Sequence, residues 1–306
     1  MKRIYLSIIS LLSAVVSMQA QQDPHYTQYM YNQSVMNPAY AGSKDALSMG
    51  VLYRQQWSGM EGAPKTGTFF GHAPVGNNLG LGLSVISDKI GPVEENNAYA
   101  DISYTLNLGG DHKLAFGMKA GATFHNVGLN SDVSPFVLDA NDPAFSQDVN
   151  STYFNLGAGL FYYTEKYYVG VSVPNFYKSK HLSYDGRNFG NETSHYFATA
   201  GYVFDINENF KLKPHVMVKS AFEAPTSLDG SLNALFFDRF EIGATYRLDD
   251  SFGGMVNFKI TEGLRIGYAY DHVTSDIRKV AKASHEFMLL YDLNFYKKAS
   301  SSSRFF

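Results

Sequence analysis

The 306-residue chain contains no cysteine. This absence excludes disulfide bridges, thiolate metal sites and a lipid anchor on cysteine. Charge is also sparse, because Asp, Glu, Lys and Arg make up 17% of the residues and the formal net charge is only −3. So small a charge does not indicate binding to nucleic acid. Beyond the N-terminal leader, no run approaches the ~20 apolar residues that a membrane-spanning helix needs. The chain is therefore either soluble or crosses a membrane with β-strands.

The first twenty residues have the pattern of a secretory signal peptide. Lys2 and Arg3 form a basic start, an apolar run follows from Ile4 to about Val16, and Ala20 stands at a plausible cleavage point. We therefore predict that residues 1–20 are removed on export through the Sec pathway. Loss of the two basic residues changes the formal charge from −3 to −5.

What the chain does contain is aromatic residues and glycine, with 22 Tyr, 23 Phe and 27 Gly. Outer-membrane barrels have this composition because aromatic girdles flank their lipid-facing band. Strict alternation supports the barrel. In "LRIGYAYD", Leu264, Ile266, Tyr268 and Tyr270 share one face, and the other face is small or charged. Fourteen segments of this kind can be identified, and their polar face is rich in Gly, Ala, Ser, Thr and Asn, which suits a barrel interior.

These segments predict an all-β protein, a transmembrane antiparallel up-and-down β-barrel of 14 strands over residues 46–296. We expect residues 21–45 to form an N-terminal segment at the periplasmic mouth and residues 297–306 to form a C-terminal tail. Tight turns follow the even-numbered strands, and longer connections, including "SDKIGPVEENN" and "EAPTSLD", follow most odd-numbered ones. This sorting predicts an outer-membrane location with both termini in the periplasm. Pro214 argues against a strand at its position, because proline lacks the N–H that the ladder needs, unless it lies at a rim or a bulge.

Several longer motifs resemble one family. They include "QQDPHYTQYMYN" and "NPAYAGS" near the start, "LYRQQWSGMEGAPKT", "YVFDINENFKLKP", "LFFDRFEIGATYR" and "SHEFMLLYDLNF". Their order and spread resemble the PorP/SprF outer-membrane proteins of the type IX secretion system of the Bacteroidetes. The resemblance implies a barrel without enzymatic activity or cofactor. It also implies as partners secreted proteins with a type IX C-terminal sorting domain, such as gliding adhesins, periplasmic components of the machine, and outer-membrane lipid.

Three motifs could carry other chemistry. "GNNLGLGLS" superficially looks like a phosphate loop, but no helix follows its strand, so a structural role is favoured. Asp139 and Asp142 could bind calcium, although their spacing matches no full ligand set. Ser284, His285 and Glu286 are consecutive, but neighbours on a strand point to opposite faces and form no triad by themselves. The nine histidines show no metal-ligand spacing.

The candidate functional residues fall into three groups. Uncharged aromatic residues and turn formers before the first strand indicate an ordered segment, either folded into the periplasmic mouth as a plug or bound to a periplasmic partner. Charges on the inward phase form either a self-neutralising network or a receiving surface for an inserted segment. The first long loop carries the only Trp, which suits a partner site or a membrane-interface belt equally. The candidates are Tyr29, Tyr31, Asn37, Pro38, Tyr40, Gly42, Arg54, Gln56, Trp57, Pro64, Arg247, Arg265 and Asp271.

Two functions from different classes remain open at this stage, with a barrel enzyme as a third. The first is a component of type IX secretion that supports export or surface attachment of its clients. The second is a passive outer-membrane porin, which would conduct ions without any partner. The sequence does not identify the secreted client, the number of copies in an assembly, or whether the lumen is open.

Overall fold

The computed structural model describes residues 24–128, 148–176, 183–184, 187–188, 194–221 and 224–293. The predicted signal peptide (1–20), the predicted tail (297–306) and the candidate calcium ligands Asp139 and Asp142 lie outside these residues. Three short helices precede the first strand: a 3-10 turn at Tyr29–Tyr31, an α-helical turn at Gln33–Met36 and a 3-10 turn at Pro38–Tyr40.

Antiparallel strands form almost all of the rest of the described chain. In chain order they are β1 (Leu47–Ser58), β2 (Lys65–Val75), β3 (Leu79–Ile90), β4 (Val93–Gly109), β5 (His112–Val127), β6 (Val149–Tyr163), β7 (Tyr167–Val173), β8 (Ser183–Tyr184), β9 (Arg187–Asn188), β10 (Tyr196–Tyr202), β11 (Phe204–Asn207), β12 (Phe210–Ala221), β13 (Ala224–Phe236), β14 (Phe240–Arg247), β15 (Ser251–Lys259), β16 (Leu264–Val273) and β17 (Ala283–Leu293).

The sheet closes into a barrel. Neighbouring strands pair in order around the wall, β1 pairs with β17, and β10 pairs with β12. Strands β10 and β11 are two segments of one wall strand that is interrupted at Val203, and β8 and β9 form a separate small hairpin. The wall therefore has 14 strands, and the predicted fold class is confirmed.

Alternation along each strand separates the lipid face from the lumen. The side chains predicted to point outward are exposed, as Leu83 (63%), Ile242 (48%) and Ile266 (43%) illustrate, whereas Lys119 (1%) and Glu241 (0%) point inward and are buried. Apolar side chains face the lipid and polar side chains face the lumen, so the two kinds must lie on opposite faces of each strand. The period of two therefore predicts which face every residue occupies.

Pro214 lies inside β12, where proline removes one ladder donor. Its position coincides with the interruption of the neighbouring wall strand. On that side His215 pairs with Gly201 of β10 and Leu212 pairs with Phe204 of β11, so Pro214 lies opposite Tyr202, next to the break at Val203. The missing N–H thus falls where the ladder is already interrupted.

The two rims of the barrel differ in their connections. At one, the short-turn rim, every connection has at most four residues, as between Val75 and Leu79. The other rim, the long-loop rim, has the connections 59–64, 128–148, 174–195 and 274–282. Two further long loops were predicted at this rim, and both predictions are wrong. "SDKIGPVEENN" is mostly β-strand, because β3 and β4 pair as far as Ile90 and Val93, and "EAPTSLD" likewise belongs mostly to β13. Cross-strand pairing extends these hairpins although their sequences are polar.

None of the helices in the described part of the chain is both long enough and apolar enough to span a membrane.

Candidate functional site

The candidate site is the interior of the barrel, which residues 24–45 occupy; we call these residues the lumen segment. From Tyr26 to Ala41, every residue except the half-buried Tyr31 is buried. Local sequence shapes its turns. The Asn37 side chain accepts a hydrogen bond of 3.0 Å from the Ala39 N–H, and Pro38 follows at the first position of the turn, where its missing N–H costs nothing.

The C-terminal end of the lumen segment lies at the short-turn rim, where the chain continues into β1. There Lys44 forms an ion pair of 3.2 Å with Asp292, close to the end of β17. The Gly42 N–H donates to Nδ1 of His72 at 3.3 Å, and Gly42 has a φ of 70°, a conformation that favours glycine. From this rim back towards Tyr26, the lumen segment lies inside the barrel.

Wall glycines make room for the lumen segment. An ideal Cβ at Gly80 would lie 2.1 Å from the Ala41 carbonyl oxygen, and one at Gly117 would lie 2.1 Å from the Ala39 nitrogen. A Cβ at Gly159 would likewise lie 2.1 Å from Oδ1 of Asn37. Gly80 belongs to the glycine-rich "GNNLGLGLS". The structural role that was favoured for this motif has a physical reason, because the backbone of Gly80 touches the lumen segment and leaves no room for a side chain.

Aromatic rings pack the first part of the path. The ring of Tyr40 lies edge-on to His72 at 5.3 Å and to Phe161 at 5.2 Å, measured between centroids. Phe161 is fully buried and also contacts Tyr168. Edge-to-face pairs of this kind stabilise a buried cluster by more than the free energy that comes from burying their apolar area.

Hydroxyl and amide groups hold the middle of the lumen segment. Ser103 donates to the Ala41 carbonyl at 2.6 Å, and Ser172 donates to the Met36 carbonyl at 2.8 Å. The Asn37 amide donates to the Leu160 carbonyl at 3.0 Å. The Gln33 amide donates to the Tyr168 hydroxyl at 3.2 Å. Because a buried backbone carbonyl without a partner is costly, these wall groups fix the irregular backbone inside the lumen.

Tyr31 bridges two wall charges. Its hydroxyl donates to Glu241 on β14 and accepts from Nη1 of Arg265 on β16 at 3.2 Å, while Arg265 and Glu241 pair directly at 3.1 Å. The Nζ of Lys213 lies 5.3 Å from the ring centroid of Tyr31. Burial and the neighbouring Glu241 raise the pKa of Tyr31 well above 10, so its hydroxyl keeps the proton that it donates.

The densest charge cluster lies near the long-loop rim. The Thr27 and Gln28 backbone N–H groups each donate to Glu286 on β17 at 2.9 Å. Arg54 on β1 forms ion pairs with Glu286 at 3.2 Å and with Asp271 on β16 at 2.9 Å, and it also donates to the Thr27 hydroxyl at 2.7 Å. Thr27 thus lies between the charges of three wall strands.

Tyr26 also lies in this half of the barrel, because its hydroxyl is 2.8 Å from that of Thr68. Thr68 is the fourth residue of β2, which begins at the long-loop rim. The described part of the lumen segment therefore extends beyond the short-turn mouth and crosses the lumen.

The structure places most of the predicted site residues in this one arrangement. Tyr29, Tyr31, Asn37, Pro38, Tyr40 and Gly42 belong to the lumen segment, and Arg54, Arg265 and Asp271 contact it. Arg247 pairs with Asp229 at 2.5 Å in the same half as Asp271. Gln56, Trp57 and Pro64 lie apart from these residues, at the long-loop rim. The first long loop was expected to begin before Gln56, but Gln56 and Trp57 belong to the end of β1, and the Gln56 N–H donates to the carbonyl of Pro64 in the connection 59–64 at 3.0 Å.

Several contacting residues were not among the candidates. Glu286, Glu241 and Gln28 are fully buried, and Gln33 is almost so. Glu286 lies one residue before the segment "FMLLYDLNF", whose outward Phe287 and Leu289 imply that Glu286 points inward, so the alternation alone could have identified it. His285 points the other way and contacts Tyr268 at 2.8 Å, apart from Ser284 and Glu286.

Among the described residues, no group of three or more His, Asp or Glu side chains is arranged to hold a metal ion. The arrangement can instead hold a neutral peptide segment by hydrogen bonds from paired wall charges, and this is the chemistry of a binding interior.

A comparison with protein families decides the identity of the barrel. The profile described as "Type IX secretion system membrane protein PorP/SprF" matches residues 18–291. The chain belongs to the PorP/SprF family. Its membership and its closed barrel with a lipid-facing surface make it an outer-membrane component of the type IX secretion system. PorP/SprF proteins are membrane secretion components and not a known enzyme family.

Solved structures support the fold of this PorP/SprF protein. It is similar to the CymD monoaromatic hydrocarbon channel at 13% identity, with a TM-score of 0.53, over 86% of this chain and 93% of that one. It is also similar to the TodX deltaS2S3 mutant monoaromatic hydrocarbon channel at 13% identity, with a TM-score of 0.51, over 86% and 94%. At this identity the likeness extends to the barrel fold alone. A search of curated proteins finds no match to the chain.

Proposed function

We propose that this PorP/SprF protein is an internally filled barrel that supports export, or attachment at the cell surface, of proteins carrying a type IX C-terminal sorting domain. Gliding adhesins are the client class that the family suggests. In this proposal the short-turn rim and the end of β17 face the periplasm, where components of the secretion machine bind, and the long-loop rim faces the cell exterior.

The observation that carries the proposal is the filled lumen. A transport pore needs a continuous polar path, but here the path is crossed by the lumen segment, which is hydrogen-bonded to wall strands from β1 to β17. Barrels of this strand number have more lumen than wall side chains alone can fill. Filling it with part of the same chain favours a binding role over diffusion.

A deletion experiment tests the secretion role. Cells lacking this protein are expected to retain a sorting-domain reporter inside, while uptake of a small hydrophilic antibiotic stays unchanged. Re-expression of the wild type is expected to restore surface display, and a reporter without its sorting domain serves as the control. Normal surface display of every sorting-domain protein in the deletant would refute the proposal.

The passive porin remains the second candidate, because the structural neighbours named above are channels. A measurement of ion conductance distinguishes the porin from the filled barrel. The purified wild-type protein in a planar bilayer is expected to be electrically silent, since the lumen segment blocks the path. Large, steady conductance from the wild type without any partner would favour the porin and count against the filled barrel.

The long-loop end of β1, with the connection that follows it, is the proposed site of client contact. Trp57 has a φ of 52°, and its N–H donates to the Ser284 hydroxyl at 3.2 Å, so the fold holds this residue in an unusual backbone conformation next to β17. Arg54, three residues earlier, is buried and takes no part in surface contact.

Substitution of Trp57 tests this site. Trp57→Ala is expected to reduce client display by at least about tenfold, since Trp residues that anchor interfaces contribute ~2 kcal/mol or more. Tyr53→Ala, which removes an exposed aromatic ring from the lipid face of the same strand, is the matched control. An equal effect of the two substitutions would indicate that Trp57 serves only the membrane interface.

A further inference from the structure

The seam between the first and the last strand has a distinctive set of contacts with the lumen segment. Closure of the barrel requires β17 to pair with β1, from Leu47 opposite Leu293 to Ser58 opposite Ala283. Two carboxylates on β17 point into the lumen at this seam. Glu286 accepts the Thr27 and Gln28 N–H groups, and Asp292 accepts from Lys44 at 3.2 Å.

Carboxylates that bind the lumen segment are concentrated on the strands that come last in the chain, whereas its charged donor Arg54 belongs to β1. Within the described residues, the carboxylates that accept hydrogen bonds from the segment are Glu241 on β14, Asp271 on β16, and Glu286 and Asp292 on β17. Contacts with the earlier wall strands β4, β6 and β7 use serine hydroxyls, backbone carbonyls and glycines instead. The hydrogen bonds from the segment to carboxylates therefore lie mostly on the strands at and near the closure of the barrel.

Glu286 joins the lumen segment to both strands of the seam. Its side chain is fully buried, and its visible partners are the two backbone N–H groups, the Gln28 amide at 3.3 Å and Arg54 at 3.2 Å. The lumen segment thus supplies three of these donors and Arg54 on β1 supplies the fourth. One carboxylate of β17 therefore binds both the segment and the strand with which β17 must pair.

We propose that the lumen segment is an internal latch for barrel closure: it binds Glu286 and Asp292 and so draws β17 onto β1. In this view the barrel closes around a segment already in place, and the segment is needed for assembly of the wall as well as for filling it. The proposal concerns assembly and is independent of the identity of the secreted client.

Cysteine pairs can measure closure directly, because the chain has no cysteine of its own. Val51 and Leu289 are opposite each other across the seam and point outward, so V51C/L289C reports whether the seam is closed. Leu83 and Ala100 are opposite each other between β3 and β4, so L83C/A100C reports a pairing far from the seam. The ratio of the two cross-linking yields in freshly assembled protein separates an open seam from general misfolding.

The test variant is Glu286→Gln and the matched control is Asp101→Asn. Asp101 is a buried carboxylate on β4 that pairs with Lys119 at 2.9 Å, so its loss is comparable but does not concern the seam. Glu286→Gln is expected to lower the seam yield, relative to the β3–β4 yield, by at least about tenfold, because it removes charge-assisted hydrogen bonds. Asp101→Asn is expected to leave the ratio unchanged.

A milder variant covers the case in which Glu286→Gln does not accumulate. Lys44→Gln removes the ion pair with Asp292 but changes only a partly exposed contact at the rim. The latch predicts a smaller fall of the same ratio, by a few-fold. A seam yield that stays at the wild-type ratio in Lys44→Gln and in any recovered Glu286→Gln protein would overturn the proposal.

Discussion

Gly117→Ala provides the sharpest test of how tightly the lumen segment is seated. The new Cβ would lie 2.1 Å from the Ala39 nitrogen and 2.3 Å from the Pro38 carbonyl carbon. Both atoms belong to the backbone, so no side-chain rotation relieves the overlap. Ordinary contact requires ~3.4 Å or more, and the turn at Pro38–Tyr40 must therefore move by roughly 1 Å.

The cost of that movement follows from the neighbouring contacts. The hydrogen bonds from Asn37 to the Leu160 carbonyl, at 3.0 Å, and from Ser103 to the Ala41 carbonyl, at 2.6 Å, would be stretched or lost. Each contributes about 1 kcal/mol. Overpacking adds about 1 to 3 kcal/mol. The total of about 3 to 5 kcal/mol raises the unseated population by roughly two to four orders of magnitude.

A buried reporter cysteine measures that population. Ser34 is 3% exposed in the seated segment, and Ser34→Cys introduces the only thiol of the chain. Maleimide labelling of this thiol is expected to be at least about a hundredfold faster in Gly117→Ala than in the Ser34→Cys parent.

Two further glycines calibrate the assay. Gly230→Ala, whose Cβ would meet nothing within 4 Å, is the control with no expected change. Gly159→Ala should fall between the two, because its Cβ would meet the side-chain end of Asn37, which can move more easily than backbone. Equal labelling of Gly117→Ala and Gly230→Ala would refute the tight seating of the lumen segment.

Two other predictions follow from charge and burial. Burial, together with the nearby cations Lys219, Arg247 and Arg54, lowers the pKa of His25 well below its ordinary value of 6.5. The unseated His25 takes up a proton as the pH falls through about 6.5, whereas the seated one stays neutral, so seating is strongest above this pH and weakens below it. Because the thiolate fraction itself falls with pH, the labelling rate of Ser34→Cys is divided by that of a fully exposed cysteine at the same pH. This ratio should be higher at pH 5 than at pH 7.5, and His25→Gln should remove most of the difference; a pH-independent ratio would contradict the reasoning. Separately, Leu83→Lys on the lipid face of β3 should lower the free energy of unfolding in lipid by about 2 to 4 kcal/mol, while Phe237→Lys, in a turn at the short-turn rim, should lower it by about 1 kcal/mol or less. Urea unfolding in liposomes measures both, and equal costs would argue that β3 does not face lipid.

The wall could be predicted from the sequence because a single physical constraint acts on every strand. Lipid on one side and a polar lumen on the other force a period of two, and this is why the phases of Ile242 and Glu241 follow from the alternation. The extension of β3 and β4 beyond that band could not be predicted in the same way. Outside the lipid both faces are polar, so the alternation ends although the backbone pairing continues to Ile90 and Val93.

The path of the lumen segment, unlike the strands of the wall, could not be predicted from a local pattern. Its aromatic, uncharged composition indicated an ordered stretch, and Asn37 and Pro38 indicated a turn, but its contacts lie on strands that are distant in sequence. Ser103, Ser172 and Glu286 hold backbone atoms of the segment, and no pattern within residues 24–45 encodes those partners. Only the closed wall brings them together, so they could not be assigned before the fold was known.

The composition of the lumen segment now has a physical reason. From Tyr26 to Ser43 it carries no charge, while the wall around it is charged in pairs, such as Arg265 with Glu241 and Arg54 with Asp271. A neutral segment can bridge such pairs through hydroxyls, as Tyr31 and Thr27 do, without leaving an unpaired charge in the lumen. A charged segment would have to find a partner among wall charges that are already paired. The absence of charge that makes the segment unusual as a tail is therefore what allows it to be buried among charges.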